Sequence, residues 1–203
     1  MLRSEKEYMM NCFLKWMKIT TLSLVVCGAL SGFAWGVSEA QNVQTLVSKA
    51  QQYSRQKNKS QLAISYINKA IKLQPRNQQL YYQRALILGR AGMYSAAIPE
   101  LSRFARMKEF PHAIRFRADC FMAMNDMRSA TRDYFAFLRK EPKDGKVWFY
   151  LAEAYVLMGD KKSALAAINK GLATGSHWSK KLKNLRIQIL TNQIVKPHKP
   201  FSN

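Results

Sequence analysis

The chain has 203 residues, 48% of them apolar, so it can bury the core of one ordinary domain and wholesale disorder is excluded. Its three cysteines, Cys12, Cys27 and Cys120, exclude a disulfide framework. The charge is lopsided: 33 Lys and Arg against 12 Asp and Glu leave a formal +21, and from Gln41 onward every acid falls between Glu100 and Asp160. One reading is a surface that meets an acidic partner, whether protein, polysaccharide or anionic membrane, with nucleic acid disfavoured. The other is a basic habit of composition with no partner behind it.

Ile19 to Val37 carries no charge, and Lys15 and Lys18 stand just before it. Ser38-Glu39-Ala40 then places small residues at the two positions a signal peptidase reads, with cleavage expected between Ala40 and Gln41. The region 1–40 is therefore expected to be a secretory signal, with Met17 as an ordinary start for it. An uncleaved anchor is the alternative, since the run is close to the roughly 20 residues of a membrane span, although Thr, Ser and Gly dilute it. Lipidation at Cys27 is a third option, but Val26 precedes that cysteine where lipoprotein signals resemble one another in having a small residue. All three place the body of the chain outside the cytoplasm, in the periplasm for a cleaved signal.

Beyond Gln41 the sequence repeats. Ala63, Ala97, Ala130 and Ala164 recur at a spacing of 33 or 34 residues, each followed four residues later by Ile67, Leu101, Tyr134 or Ile168. Five residues before each alanine stands a turn former, namely Asn58, Gly92, Asn125 or Gly159. Gly is unfavourable by about 1 kcal/mol in a helix interior, so each marks the turn of a helical hairpin. Val47, Tyr81, Ile114 and Trp148 stand sixteen before the alanines, and Gln51, Ala85, Ala118 and Ala152 twelve before. Pro75 and Pro142 fall where the second helix of a unit should end. Small residues on facing sides let two backbones approach while larger ones fill the space beside them.

This pattern resembles the tetratricopeptide repeat, W-x2-L-G-x2-Y…A-x3-F…P, over about two thirds of the chain. Trp148, Leu151, Ala152, Tyr155, Ala164 and Ile168 of the fourth unit match it in type. The resemblance implies an all-α, right-handed solenoid of four hairpins: Gln44–Asn77, Gln78–Phe110, Pro111–Asp144 and Gly145–Trp178. The first unit departs most, with Ala50, Gln51 and Ser54 at its pattern positions. Arg84 and Arg117 replace the leucine in units two and three, where their stems could lie along apolar surface. Residues 179–195 follow as one capping helix with Leu182, Leu185 and Ile189 on one face and Ser179 as N-cap. Its basic face is also compatible with an anionic membrane surface. The tail over 196–203 is expected to be disordered.

No residue offers catalysis or metal binding. His112, His177 and His198 lack paired metal-site spacing, and no phosphate loop or nucleophile elbow is present. Cys120 sits at an inward helix position as a core residue. Asp119, Asp126 and Asp133 are expected on solvated faces or turns. No cofactor is implied. The resemblance instead implies a concave groove lined by first helices that binds a protein. By position it would hold Gln52, Arg55, Tyr82, Gln83, Arg90, Arg115, Phe116, Asp119, Phe149, Tyr150 and Glu153, with Tyr82, Arg115 and Phe149 as the foremost anchors. Phe149 and Tyr150 could equally serve as gap fillers between helices. The Lys/Asn/Arg clamp that some relatives use on C-terminal carboxylates is absent, because Ser48, Gln52, Gln83, His112 and Phe116 occupy its positions. The expected function is that of an exported, non-catalytic adaptor in a cell-envelope assembly. Its rival is a binder of an anionic polymer or membrane through the basic ends.

Overall fold

The computed structural model describes residues 41–193 and 195. The expected leader over 1–40, its cleavage site at Ala40, and the tail over 196–203 lie outside the described residues. The chain divides between Thr45 and Leu46, and the description concerns the unit from Leu46 onward. There, residues 46–54 are helical (α1). They are followed by α2 (Ser60–Leu73), α3 (Gln78–Arg90), α4 (Tyr94–Phe104), α5 (Ala113–Ala123), α6 (Met127–Leu138), α7 (Gly145–Leu157), α8 (Lys161–Ala173) and α9 (Ser179–Leu190).

The repeat period becomes a repeated backbone event. Asn58, Gly92, Asn125 and Gly159 adopt φ of 65°, 77°, 62° and 78°, the left-handed region that Gly enters without strain and Asn tolerates. In units two to four the amide three residues past the end of the first helix then closes on a carbonyl five residues back: Met93 on Leu88, Asp126 on Phe121, Asp160 on Tyr155, at 2.9–3.0 Å. The chain reverses and the second helix packs on the first. The alanines at the crossing, Ala63, Ala97, Ala130 and Ala164, are fully buried, as are Ala85, Ala118 and Ala152 opposite them. Asn77, Asp126, Asp144 and Asp160 cap α3, α6, α7 and α8 through backbone amides two or three residues on.

Units two and four are each tied to the loop before them by the residue sixteen before the alanine. Tyr81 donates its hydroxyl to the Pro75 carbonyl at 3.0 Å, and the Trp148 indole donates to the Pro142 carbonyl at 2.8 Å. Each aromatic thereby holds the loop that enters its unit. First helices pack on one another at two joints, α3 on α5 and α7 on α9, whereas neither α5 with α7 nor α4 with α6 or α6 with α8 makes a comparable contact. The first helices are therefore on the inner side, and the second helices fan apart on the outer side.

Several expectations change. Asp119 and Asp133 do not face solvent; both are buried, at 2% and 4% exposure. Asp119 accepts the Tyr134 hydroxyl at 2.7 Å, and Asp133 takes a two-pronged contact from Arg117 at 2.7 and 2.9 Å. Asp126 is indeed a turn residue. Arg84 and Arg117 do more than cover apolar surface with their stems. Arg84 binds Glu100 at 2.7 Å and Asn68 at 3.2 Å; Arg117 binds Asp133 and, at 3.1 Å, Ser102. Each guanidinium thus staples the second helix of its own unit to that of the unit before, filling the wedge that curvature opens.

The final helix is shorter than 179–195, ending at Leu190, because Asn192 takes φ of 55° and Gln193 closes on Gln188. That is the same stop that ends α3, α5 and α7. Ser179 is not its N-cap; the hydroxyl donates back to the Ser176 carbonyl at 2.7 Å, and Trp178 holds the cap position. Leu182, Leu185 and Ile189 are buried as expected. Gly171 permits the close approach, since a Cβ there would stand 2.8 Å from Leu182 and from Trp148. Cys120 is in the core, its thiol pushed up to about 12 by burial and secondarily by Asp119.

Candidate partner-binding face

The inner face is built from α1, α3, α5, α7 and α9, and the expected groove residues divide along it. At the N-terminal end Gln52 and Arg55 are exposed. Gln83 is half-buried and accepts from Gln51 at 3.2 Å. Arg90 is half-buried as well, held below the usual arginine value first by burial and then by the charge of Arg55. Two like charges therefore share this end. Tyr82 is less available than expected. It packs edge-on against Phe104 at 5.6 Å and against Phe110 at 4.8 Å, and burial raises its hydroxyl to about 12. It closes the joint between units two and three rather than standing free as an anchor.

At the C-terminal end the groove gathers charge and rings. Arg115 stacks over Phe116 at 4.2 Å and reaches Asp119 at 3.8 Å. Phe149, Tyr150 and Trp178 form one ring cluster, with centroids 5.4–6.0 Å apart. Tyr150 is buried and fills the joint, while Phe149 is half-buried and presents part of its ring. Glu153 is buried beside Phe149 in the wall of a hollow of about 360 Å³, with Lys181, Asn184, Leu185, Gln188 and Val195.

Two residues that the repeat register did not mark complete this cluster. Lys146 lies over both Tyr150, at 5.7 Å, and Trp178, at 5.6 Å; Lys181 lies over Trp178 at 3.9 Å. Lys146 is held below the usual lysine value, chiefly by burial and next by Arg115, with Lys181 adding to the effect against the pull of Asp119 and Asp144. Helical spacing carried a signal for them: Lys146 is four residues before Tyr150, and Lys181 three after Trp178. What the signal lacked was the fold, which brings α7 and α9 side by side. Among the described residues no group of three His, Cys, Asp or Glu side chains could hold a metal ion.

Helical hairpins in 34-residue register, stacked so that first helices line the inner face, define a tetratricopeptide-repeat scaffold, a non-catalytic class of protein-interaction module. Models of the tetratricopeptide repeat match residues 43–77 and 117–177. No curated protein matches the chain. Solved structures similar to it include the following three. The MamA RS-1 ArsTM double mutant is 17% identical, with 70% of this chain and 80% of that one covered, at a TM-score of 0.59. MamA 41-end from Desulfovibrio magneticus RS-1 is 17% identical, covering 68% and 75%, also at 0.59. A further MamA crystal structure is 19% identical, covering 70% and 78%, at 0.58. At these identities the likeness concerns the fold.

Proposed function

We propose that this chain is an exported adaptor that holds an acidic segment of a protein partner on its inner face, within a cell-envelope assembly. The observation that carries the reading is the gathering of Lys146, Arg115 and Lys181 around Phe149, Tyr150 and Trp178. Like charges brought together at partial burial repel one another, and an incoming carboxylate relieves that repulsion while the rings supply apolar contact area. The rest of the chain offers little relief of its own. From Gln41 onward there are 29 Lys and Arg against nine acids. Asp126, Asp144 and Asp160 are spent on helix caps, and Glu100, Asp119 and Asp133 on Arg84, Arg115 and Arg117. Export rests on the composition of residues 1–40 alone.

A second reading, binding of an anionic polymer or membrane by the basic end, is favoured by α9, where Lys180, Lys183 and Arg186 are exposed beside Ile187 and Leu190. In-cell crosslinking of the tagged chain, with and without Lys146→Glu, tests the adaptor reading. Loss of one specific protein partner in the variant supports it; an undiminished partner removes the inner face from the mechanism. N-terminal sequencing of the recovered protein tests export: a chain beginning at Gln41 is expected, and an intact 17–40 segment makes it an anchor.

A further inference from the structure

The outer side of the solenoid is not sealed in the same way along its length. Between α2 and α4 the wedge is filled by Arg84 with Glu100 and Asn68, and between α4 and α6 by Arg117 with Asp133 and Ser102. The register then predicts a third staple between α6 and α8. The three equivalent positions, each 34 residues beyond those of unit three, hold Leu151, Ala167 and Ala136. The long guanidinium and both of its partners are replaced together by shorter apolar side chains, and the wedge stays open.

It opens as two adjoining hollows. One, of about 140 Å³, is lined by Phe135, Trp148, Leu151, Tyr155, Ala167 and Lys170, among others. The other, of about 440 Å³, shares Phe135, Trp148 and Lys170 and is bounded by Leu138, Arg139 and Pro142. The larger is within the roughly 300–1,000 Å³ of ligand-binding clefts. Phe135 forms one wall and is 46% exposed. No acid lines either hollow. Lys170 and Arg139 stand at the rim, with the Lys170 ammonium 5.5 Å from the Trp148 ring centroid.

We infer that this outer cleft between α6 and α8 is a second docking site, independent of the inner face, for an acidic segment of a partner protein that inserts one phenylalanine side chain. The cleft supplies apolar walls for the ring, and Lys170 and Arg139 supply charge complementary to flanking carboxylates. Of the three joints between the described second helices, two carry an arginine staple, and the third, between α6 and α8, has none and is cationic at its rim.

The probe is a fluorescently labelled synthetic peptide of aspartates and glutamates around one central phenylalanine, read by polarisation against the full chain. An otherwise identical peptide with alanine for phenylalanine is expected to bind at least about tenfold more weakly. Phe135→Ser and Lys170→Glu, both at exposed positions, should each weaken binding of the phenylalanine peptide by a similar factor. The combined Ala136→Ser, Leu151→Arg, Ala167→Asp variant installs the staple of unit three and should abolish binding; should it not fold, the two exposed variants carry the test. Lys146→Glu on the inner face separates the two sites, and variants of the outer cleft should lose binding that Lys146→Glu retains. Equal binding of both peptides, or binding indifferent to Phe135→Ser and Lys170→Glu, overturns the inference. Self-association abolished by Phe135→Ser would also overturn it, by giving the cleft to a second copy of the chain.

Discussion

Arg117 offers a direct test of how the outer side is held. Its guanidinium makes two hydrogen bonds to Asp133, at 2.7 and 2.9 Å, and a third to Ser102 at 3.1 Å. Asp133 is only 4% exposed. Arg117→Leu would leave that carboxylate buried without its partner, a change that costs about 3–5 kcal/mol in a fully buried pair. The Arg117 side chain keeps 22% of its exposure, so water can reach part of the site, and about 2–4 kcal/mol is the expected loss. For an array of this size that corresponds to a fall in melting temperature on the order of 10 °C. The triple variant Ser102→Ala, Arg117→Leu, Asp133→Ala reproduces the apolar set that unit four already carries. Removing the ion pair whole strands no buried charge, so this variant should lose less stability than Arg117→Leu alone even though its shorter side chains leave the wedge open. Circular dichroism through thermal and urea unfolding reads both. A wild-type melt for Arg117→Leu would refute the staple, and a triple variant as unstable as the single would refute the stranded Asp133 carboxylate as the cause of the loss.

Ala130 is fully buried where α5 and α6 cross, so Ala130→Trp should cost about 1–3 kcal/mol or more and loosen the neighbouring units as well, visible as a lower urea midpoint. Gly159 holds φ of 78° with open space where a Cβ would stand, so Gly159→Ala should cost about 1–2 kcal/mol from backbone strain alone, measured by the same unfolding curve, while Asn125→Gly should not destabilise. Asp126 caps α6, and its hydrogen bonds to Ser129 hold its carboxyl below the ordinary 3.8. A depressed folded value contributes stability above the unfolded value that is lost as pH falls through the folded one. The melting-temperature difference between wild type and Asp126→Ala should therefore shrink below about pH 4, and a difference that stays constant to pH 2 would refute the charged cap.

The sequence by itself determined the repeat. Its period, turn residues and paired alanines are local facts: a left-handed Asn or Gly ends a helix wherever it stands, and two alanines allow a close crossing whatever surrounds them. Tyr81 and Trp148 were visible for the same reason, as bulky residues at one register position. The C-terminal helix was legible as a helix through Leu182, Leu185 and Ile189, but its end at Leu190 is set by the backbone turn at Asn192, which the apolar pattern does not mark.

Tertiary structure decided which polar residues are inside. Asp119 and Asp133 look like solvated acids in a one-dimensional pattern, because nothing near them in sequence reveals that Tyr134 and Arg117 arrive from fifteen or sixteen residues away. The candidate groove was legible as a face but not as a site. Tyr82 was drawn into a joint by Phe104 and Phe110, whereas Lys146, Trp178 and Lys181 became neighbours only when α7 met α9. Curvature is likewise invisible in sequence. It arises from how closely successive first helices pack, and it decides that the outer wedges exist at all. Whether a wedge is then stapled by arginine or left open is written in three residues that are far apart in the chain and acquire a common meaning only once the helices are stacked.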